Sequence, residues 1–168
     1  MNVEVRYGTE KDVPAILSII NHEILNSTSV YDYEVKSLDE QLNWFNDRRE
    51  NGFPVIVAII DGEVAGYGSY GAFRQKTGYK FCVEHSVYVH ESARGKGLGK
   101  ILIKELISIA KSSGMHTMVA GIDSQNKGSI LFHEQFGFTI VGSFKEVGYK
   151  FNTWLDVTFM QLIITDND

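Results

Sequence analysis

A glycine-rich turn at residues 94–99, Arg-Gly-Lys-Gly-Leu-Gly, constrains the fold most, because its two flanks predict different elements. Residues 83–89 place Val or His at odd positions and Glu, Ser or Tyr at even positions, which is the period of a β-strand. Between residues 98 and 110, apolar residues recur at the spacing of one helical face. A turn between a strand and a helix exposes unpaired amides at the helix N-terminus, where an anionic group, most commonly phosphate, is favoured. The sequence therefore predicts a phosphate-binding turn.

Its basic side chains and its departures from two known phosphate-binding motifs limit what this turn can bind. Positive charge is concentrated around it at Arg94, Lys96, Lys100 and Lys104. A polyphosphate favours such a concentration of charge. The Walker pattern G-x-x-x-x-G-K-[ST] does not occur in the sequence, and the dinucleotide pattern G-x-G-x-x-G fails because Leu102 stands at its last position. The remaining pattern, R-x-x-G-x-G, is compatible with a backbone cradle for a ligand or with a flexible surface turn.

Length, charge and cysteine content limit the class of protein. The 168 residues are 43% hydrophobic and 22% charged, so we expect residues 1–168 to form a single globular domain. The formal net charge of −5 argues against general nucleic-acid binding. No apolar run approaches the roughly 20 residues of a membrane span, and the first residues lack the features of a signal peptide. Cys82 is the only cysteine, which excludes an internal disulfide and fits a reducing cytoplasm.

Apolar periodicity and turn residues predict an α/β chain in the order β-α-α-β-β-β-α-β-α-β-β. Thr9 and Ser37, each followed three positions later by an acidic residue, predict the starts of the first two helices. Asn126 predicts the start of the last helix, and Asp61-Gly62 predicts a hairpin turn. The strands are predicted at residues 3–7, 54–60, 64–73, 83–89, 115–122, 138–144 and 154–164, and the last helix runs to residue 136. We therefore expect a mixed sheet with helices packed on it.

Several segments resemble one enzyme superfamily. The pattern R-x-x-G-x-G after a strand containing Val-Tyr-Val, with Asn126 after the next strand, resembles the GNAT superfamily of acetyl-coenzyme A-dependent N-acetyltransferases. The segments FRQKTGYKFCVEHSVYVHESARGKGLG, GIDSQNKGSILFHEQFGF and GYKFNTWLDVTFMQ, with residues 26–31, resemble its phosphinothricin/methionine sulfoximine N-acetyltransferase branch. This resemblance covers nearly the whole chain. It implies the GNAT fold: a mixed, mostly antiparallel sheet, splayed at the cofactor strand and flanked by helices.

The resemblance also implies acetyl-CoA as co-substrate. Backbone amides of residues 95–100 would hold the pyrophosphate, and the backbone of residues 87–89 would run beside the pantetheine. Asn126 would contact the pantetheine through its side chain, although a simple helix N-cap is an independent interpretation of this residue. The cofactor-binding residues implied in this way are Val87, Tyr88, Val89, Arg94, Gly95, Lys96, Gly97, Leu98, Gly99, Lys100, Asn126 and Ser129.

Acetyl transfer to an amine requires a base, because the amine must lose its proton before it attacks a thioester. By resemblance Glu84 is the candidate base, acting directly or through a water, although a charged residue between valines is also typical of a solvated strand face. His85 is a competing base with a pKa nearer neutrality, but strand alternation places it opposite Glu84. His133 stands where most GNAT enzymes have a tyrosine. The resemblance implies that it protonates the departing thiolate or helps to desolvate the amine, and a histidine favoured by the helix dipole is the alternative.

The acceptor implied by the branch is the α-amino group of a small glutamate- or methionine-like amino acid. Arg74 matches an arginine of the branch and offers a planar fork for the substrate carboxylate. The predicted substrate-binding residues are Arg74, Tyr31, Thr28, His85 and Ser86. A protein N-terminus or a polyamine is the alternative acceptor, and a non-catalytic acyl-CoA-binding module is the alternative to an enzyme.

The partners expected beyond the substrates are few. The resemblance implies a homodimer in which the loop near Arg74 and the C-terminal strands approach the partner. We expect neither nucleic acid nor membrane as a partner. We also expect no metal, because the histidines do not have the spacing of a ligand set.

Overall fold

The fold is built on one mixed sheet with helices on both faces. The computed structural model describes residues 2–164, and within them the sheet has seven strands accompanied by four α-helices. The elements are β1 (Val3–Tyr7), α1 (Val13–Asn26), α2 (Leu38–Glu50), β2 (Val55–Ile60), β3 (Glu63–Ala72), β4 (Cys82–Val89), α3 (Leu98–Ser112), β5 (Thr117–Asp123), α4 (Lys127–Glu134), β6 (Thr139–Lys150) and β7 (Thr153–Ile163). The predicted domain also includes Met1 and residues 165–168, which lie outside the described residues.

The strands lie in the order β1-β2-β3-β4-β5-β7-β6, and every neighbouring pair is antiparallel except β4 and β5. This parallel pair is short, because residues 82–84 pair with residues 117–119 and the two strands then separate. β4 stays paired with β3, and β5 stays paired with β7. The predicted splay is therefore confirmed. It leaves the edge of β4 that faces β5 without a strand partner over residues 85–89.

Strand alternation divides the core into two layers, one on each face of the sheet. In β2, Val55, Val57 and Ile59 pack with α1 and α2 on one face. Ile56 and Ala58 pack with α3 on the other face. Coverage on both faces explains why β2 is a continuous apolar run. None of the helices within residues 2–164 is long and apolar enough to cross a membrane.

The sequence signals for the start of α2 and for the first hairpin are confirmed. Ser37 Oγ accepts from the Glu40 amide at 3.2 Å, and Glu40 Oε2 accepts from the Ser37 amide at 2.6 Å, which closes a capping box. Asp61 and Gly62 both have positive φ, 50° and 91°, as a tight turn between twisted antiparallel strands requires.

The C-terminal hairpin is longer than predicted. β6 spans Thr139–Lys150, whereas alternation predicted a strand over residues 138–144. The pairing with β7 is interrupted between residues 144 and 148, where Glu146 has a φ of 52°. The Glu146 amide donates to Asp156 Oδ1 at 2.7 Å, and regular pairing resumes after it. This bulge breaks the period of two, so the sequence pattern ends before the strand does.

Two other predicted boundaries shift by two residues. α4 ends at Glu134 rather than at residue 136, because the next residues form a turn. β5 begins at Thr117 rather than at Met115, because the Met115 amide donates to the Ala110 carbonyl in α3 at 2.9 Å instead of joining the sheet.

Candidate active site

A cleft with a volume of about 760 Å³ opens where β4 and β5 separate. Its walls are the unpaired edge of β4, the end of β5, side chains of α4, the loop after α1, and part of β6 and β7. The predicted site residues that line it are Thr28, Tyr31, Glu84, His85, Ser86, Val87, Tyr88, Val89, Gly99, Asn126, Ser129 and His133. The splayed sheet thus brings the predicted base, the predicted acid and the predicted cofactor strand to one cleft.

The glycine-rich turn lies directly before α3 with its backbone open. Gly95 and Gly97 have φ of 76° and 81°, and a Cβ at either position would have no neighbour within 4 Å. Glycine adopts this left-handed conformation without strain. Among the described residues, no backbone carbonyl accepts from the amides of residues 95–97. The Lys100 amide already donates to the Gly97 carbonyl at 3.1 Å, so the amides available to an anion are those of residues 95–99, one fewer than predicted.

The side chains around this turn have structural partners of their own. Leu98 is buried in the core, and the Arg94 guanidinium donates to Glu23 on α1. Lys96 lines a separate cavity of about 330 Å³, and Lys100 is exposed. The turn therefore offers a ligand its backbone amides and the charge of its lysines, whereas Arg94 anchors the turn to α1.

Asn126 lies both at the start of α4 and at the wall of the cleft. Its Oδ1 accepts from the Ser129 amide at 3.0 Å, so the helix-cap interpretation is confirmed. Within residues 2–164, no protein group accepts from its Nδ2. The side chain is therefore able to donate to a ligand while it caps the helix.

Glu84 stands at the point where the sheet opens. Its pairing with Val119 is the last between β4 and β5, and its side chain lines the cleft. Glu84 is exposed to the cleft, and partial desolvation by the neighbouring protein raises the pKa of its carboxylate above the ordinary value for glutamate. The positive charge of Arg48 on α2 opposes that rise. A carboxylate with a raised pKa beside an open cleft is suited to accept a proton from an amine.

His85 and His133 form a buried pair on the α4 side of the cleft. Their Nε2 atoms are 3.0 Å apart, and their rings stack with centroids separated by 5.1 Å. His133 Nδ1 lies 2.7 Å from the Ser129 carbonyl oxygen, an acceptor, so Nδ1 carries the proton of the neutral ring. His133 Nε2 must then accept from the Nε2–H of His85. This tautomer leaves His85 Nδ1 buried and without a partner among the described residues.

Burial keeps both histidines neutral. Desolvation lowers the pKa of His85 to about 3 and lowers the pKa of His133. The low pKa of His85 argues against a role as base near neutral pH, and its Nε2 lies against His133, although the residue lines the cleft; its two predicted roles stay predictions. A neutral His133 that donates to Ser129 has no free proton for a departing thiolate. Among residues 2–164, no group of three or more His, Cys, Asp or Glu side chains has an arrangement that could hold a metal ion.

The pKa of His85 predicts a specific loss of stability in acid. In the unfolded chain a histidine titrates near pH 6.5. Below that pH the unfolded state binds a proton that the folded state excludes, so the free energy of unfolding falls as the pH drops from about 6.5 towards 3. Through His85 we expect wild-type protein to lose about 2 kcal/mol between pH 7.5 and pH 5. Urea unfolding at both pH values measures the loss.

A His85→Leu variant is the reference for this measurement, because it removes the titrating group. Its stability should fall by about 2 kcal/mol less than that of wild type over the same pH interval. The exposed His116 gives the matched control, since His116→Leu should retain the full wild-type dependence. An equal pH dependence in wild type and His85→Leu would show that His85 does not stay neutral in the folded state.

Three side-chain hydrogen bonds hold the loop after α1 across the cleft. Thr28 Oγ1 donates to Asp123 Oδ2 at the end of β5 at 2.5 Å. Lys150 of β6 is buried, and its Nζ donates to the carbonyls of Ser27 and Val30 at 2.7 and 2.6 Å. These bonds hold the predicted substrate residues of the loop over the opening. Sequence reasoning missed both Asp123 and Lys150. The only signal at Lys150 was its position between two aromatic residues, outside the predicted strands.

Tyr31 is positioned by a glycine in β6. Its ring lies where a side chain on Gly148 would project, since a Cβ there would come within 2.5 Å of Tyr31 Cε2. Burial raises the pKa of the Tyr31 hydroxyl, with the negative charges of Asp123 and Asp156 as smaller causes. Tyr31 therefore stays a neutral hydrogen-bonding group at the cleft wall.

Arg74 does not line the cleft. Its side chain is exposed, and its guanidinium lies over the ring of the neighbouring Phe73, with Cζ 5.4 Å from the ring centroid. Among residues 2–164, no hydrogen bond or ion pair joins Arg74 to a residue of the cleft. Its predicted role in binding the substrate carboxylate stays a prediction.

The split between β4 and β5, with a glycine-rich turn before the next helix, is the arrangement that the GNAT resemblance implied. Residues 19–138 match the family model of the acetyltransferase (GNAT) family. The chain belongs to this family, and the predicted fold class is confirmed.

Individual relatives extend the likeness over the whole chain. L-methionine sulfoximine/L-methionine sulfone acetyltransferase of Salmonella typhimurium is 42% identical over 163 residues, covering 97% of this chain and 95% of the relative. The structure of yncA from Salmonella typhimurium with its cofactor acetyl-CoA has a TM-score of 0.96 at 42% identity, and the match covers 100% of this chain and 97% of that chain. A ribosomal-protein-alanine N-acetyltransferase from Brucella melitensis has a TM-score of 0.94 at 42% identity, with 95% and 99% covered.

Proposed function

We propose that this protein transfers the acetyl group of acetyl-CoA to the α-amino group of a small glutamate- or methionine-like amino acid. Methionine sulfoximine, methionine sulfone and phosphinothricin are the expected kinds of acceptor. The observation that carries the proposal is the open edge of β4, which has Glu84 at one end and leads at the other to the free amides of the glycine-rich turn. The name of the Salmonella typhimurium relative supports the choice of acceptor.

The open edge of β4 offers the groups that acetyl-CoA needs. The amides of residues 95–99 would bind the pyrophosphate at the start of α3, where the helix dipole also favours negative charge. The unpaired backbone of residues 87–89 would pair with the amides of the pantetheine, and Asn126 would donate from Nδ2. Bound in this way, acetyl-CoA supplies a thioester carbonyl that an amine can attack. The fit rests on this chain's free backbone groups and on glycines that place no Cβ in the turn.

Glu84 accepts the proton of the amine, either directly or through one water. Its raised pKa makes it a stronger base than a solvated glutamate. The buried, neutral His85 and His133 line the same cleft from the α4 side, and this weakly hydrated wall helps a bound amine to lose water and its charge. A covalent intermediate on the protein is not required, because the amine itself attacks the thioester, the C–S bond breaks, and coenzyme A leaves as its thiolate, which solvent can protonate.

The proposal is tested by measuring thiol release from acetyl-CoA with a panel of amines. We expect the highest kcat/KM with methionine sulfoximine or methionine sulfone, lower values with phosphinothricin and methionine, and little release with spermidine. N-acetylmethionine sulfoximine is the matched control, because its α-amine is already blocked. Activity confined to spermidine or to lysine side chains would contradict the proposed acceptor.

A protein N-terminus is the second candidate acceptor. The likeness to the Brucella melitensis ribosomal-protein-alanine N-acetyltransferase favours it. The tied loop at residues 28–31 argues against it, because this loop narrows the opening beside Glu84. A hexapeptide that begins with alanine belongs in the same panel, and a kcat/KM above that for methionine sulfoximine would favour this second function.

The assembly and cellular location extend the same proposal. We infer a homodimer formed through the C-terminal hairpin, on which large apolar side chains are exposed. These side chains are Ile140, Val141, Phe144, Val147, Tyr149, Phe151 and Trp154. Burial of aromatic residues is typical of such interfaces, and sedimentation equilibrium measures the mass of the assembly.

We also propose that residues 1–168 form a single domain. The lone cysteine supports a cytoplasmic location, and cell fractionation tests it.

A further inference from the structure

Arg48 on α2 lies beneath the β3–β4 strand pair without a hydrogen-bond partner. Its Nε is buried, and no described residue accepts from it. Its guanidinium stacks on Trp44 one helical turn earlier, with Cζ 5.7 Å from the ring centroid. Arg48 is half-buried, and leaving its buried Nε without an acceptor is costly, so stability alone does not explain this placement.

Gly71 on β3 makes room for the guanidinium. Arg48 Nη1 lies 1.4 Å from the position that a Cβ on Gly71 would take. Gly71 pairs directly with Glu84 across the antiparallel strands. Side chains at such paired positions project from the same face, with Cβ atoms about 4.5–5.5 Å apart. Arg48 therefore occupies the place of the missing Gly71 side chain, and its positive charge lies opposite Glu84.

The two charges are near each other but are not joined. No salt bridge within 4.0 Å links Arg48 to Glu84 in the described part of the chain. The charge of Arg48 nevertheless lowers the pKa of Glu84, against the effect of burial. The other titratable groups around this face of the sheet are Tyr67 on β3, Cys82 and Tyr88 on β4, and Glu23 on α1 with its partner Arg94. Asp32 and Lys150 lie further along, near Tyr88 and Glu23, and Arg94 pairs with Glu23, whereas the positive charge that acts on Glu84 is that of Arg48.

We propose that Arg48 is a positioning residue for the acetyl transfer, which keeps the Glu84 carboxylate ionised from the place that Gly71 leaves free. The inference rests on the proposed role of Glu84 as the base. A direct ion pair would occupy the carboxylate oxygens. A guanidinium held at a short distance stabilises the negative charge and leaves those oxygens free for the amine or a water.

The test is the pH dependence of kcat/KM for the amino acid in Arg48→Met, which removes the charge and keeps an apolar stem. We expect the acid limb of the profile to move up by about one pH unit, the low end of the effect of an adjacent guanidinium on a carboxylate. Activity should therefore fall about tenfold on the acid limb and approach the wild-type value near pH 9. Arg48→Lys keeps the charge and should move the limb less.

Two further variants separate charge from packing. Gly71→Ala places a Cβ where Nη1 now lies, so it displaces the guanidinium without removing a charge, and the limb should move in the same direction. Arg49→Met is the matched control. Arg49 is the next residue of α2 and is exposed, and its Nη2 lies 3.5 Å from Glu10 Oε1. Because its charge is paired elsewhere, its loss should leave the acid limb unchanged.

Glu84→Gln distinguishes failure of this inference from failure of the proposed base. If Glu84→Gln abolishes the acid limb but Arg48→Met and Gly71→Ala leave it in place, Arg48 does not act on Glu84. A uniform loss of rate in Arg48→Met at every pH likewise overturns the inference, because it indicates a role in folding alone. If Glu84→Gln keeps the wild-type limb, the base itself is misassigned.

Discussion

Replacement of Glu84 by glutamine is expected to lower kcat/KM for the amino acid by about 100-fold or more, the usual contribution of a positioned general base. Glutamine keeps the size and the hydrogen-bonding oxygen of the side chain but cannot take a proton from the amine. Because burial raises the pKa of Glu84, the wild-type profile should show an acid limb above the ordinary pKa of glutamate. In the variant this limb should disappear, and the remaining rate should rise with pH as more of the amine becomes neutral. Initial-rate measurements from pH 5 to pH 9 record both effects.

Binding of acetyl-CoA provides the internal control for this variant. The dissociation constant for acetyl-CoA should stay within about twofold of wild type, because the turn that would bind the pyrophosphate is unchanged. Glu105→Gln, at an exposed position of α3, is the matched substitution and should keep full activity. A Glu84→Gln protein with near-wild-type kcat/KM would exclude this residue as the base. If the wild-type protein bound acetyl-CoA but acetylated none of the amines, the result would instead favour the non-catalytic binding module.

Substitution of Gly97 by alanine is expected to raise the KM for acetyl-CoA by about tenfold, which corresponds to about 1.4 kcal/mol. Gly97 has a φ of 81°, so alanine strains the backbone of the turn whose free amides would bind the pyrophosphate. The new Cβ meets no protein atom within 4 Å, so it would project into open space rather than into the core. Steady-state kinetics with varied acetyl-CoA measure the change.

Gly114, at the other end of α3, offers a closely matched control. It has a φ of 76° and also has no neighbour within 4 Å of a Cβ position. Gly114→Ala should therefore lower the Tm about as much as Gly97→Ala but leave the KM for acetyl-CoA unchanged. S-acetylpantetheine, which has no phosphate, should show the same KM with Gly97→Ala as with wild type. A tenfold loss with this short substrate too would locate the defect outside the phosphate site.

The sequence was most informative where structure depends on near neighbours. The strand at residues 83–89, the glycine-rich turn and α3 follow from periodicity and from backbone freedom, and the structure confirms each of them. The opposite orientation of Glu84 and His85 follows from strand alternation in the same way. The splay between β4 and β5 was available only through the family resemblance, because no local pattern marks the residue where pairing stops.

The remaining site geometry joins residues that are far apart in the chain. The His85–His133 pair spans 48 positions, and the bond from Lys150 to Ser27 spans 123. A lone histidine or lysine in a sequence gives no sign of its partner or of its burial. Arg48 illustrates the same limit, because its importance depends on the space left by Gly71 on a different element. Such pairings are set by the tertiary fold and are absent from local propensity.

The unpaired edge of β4 also bears on the solubility of this protein. An open row of backbone donors and acceptors is a template for the addition of a strand from another molecule, and exposed edges of this kind promote aggregation. Here the open row lies in the interior of the sheet and not at its rim, between walls contributed by α4 and by residues 28–31. A strand of another molecule would have to displace these walls to pair with the edge, whereas the cleft is open to a slender ligand such as the proposed pantetheine. The fold thereby leaves this unpaired strand edge open to a ligand while the cleft walls protect it from pairing with a strand of another molecule.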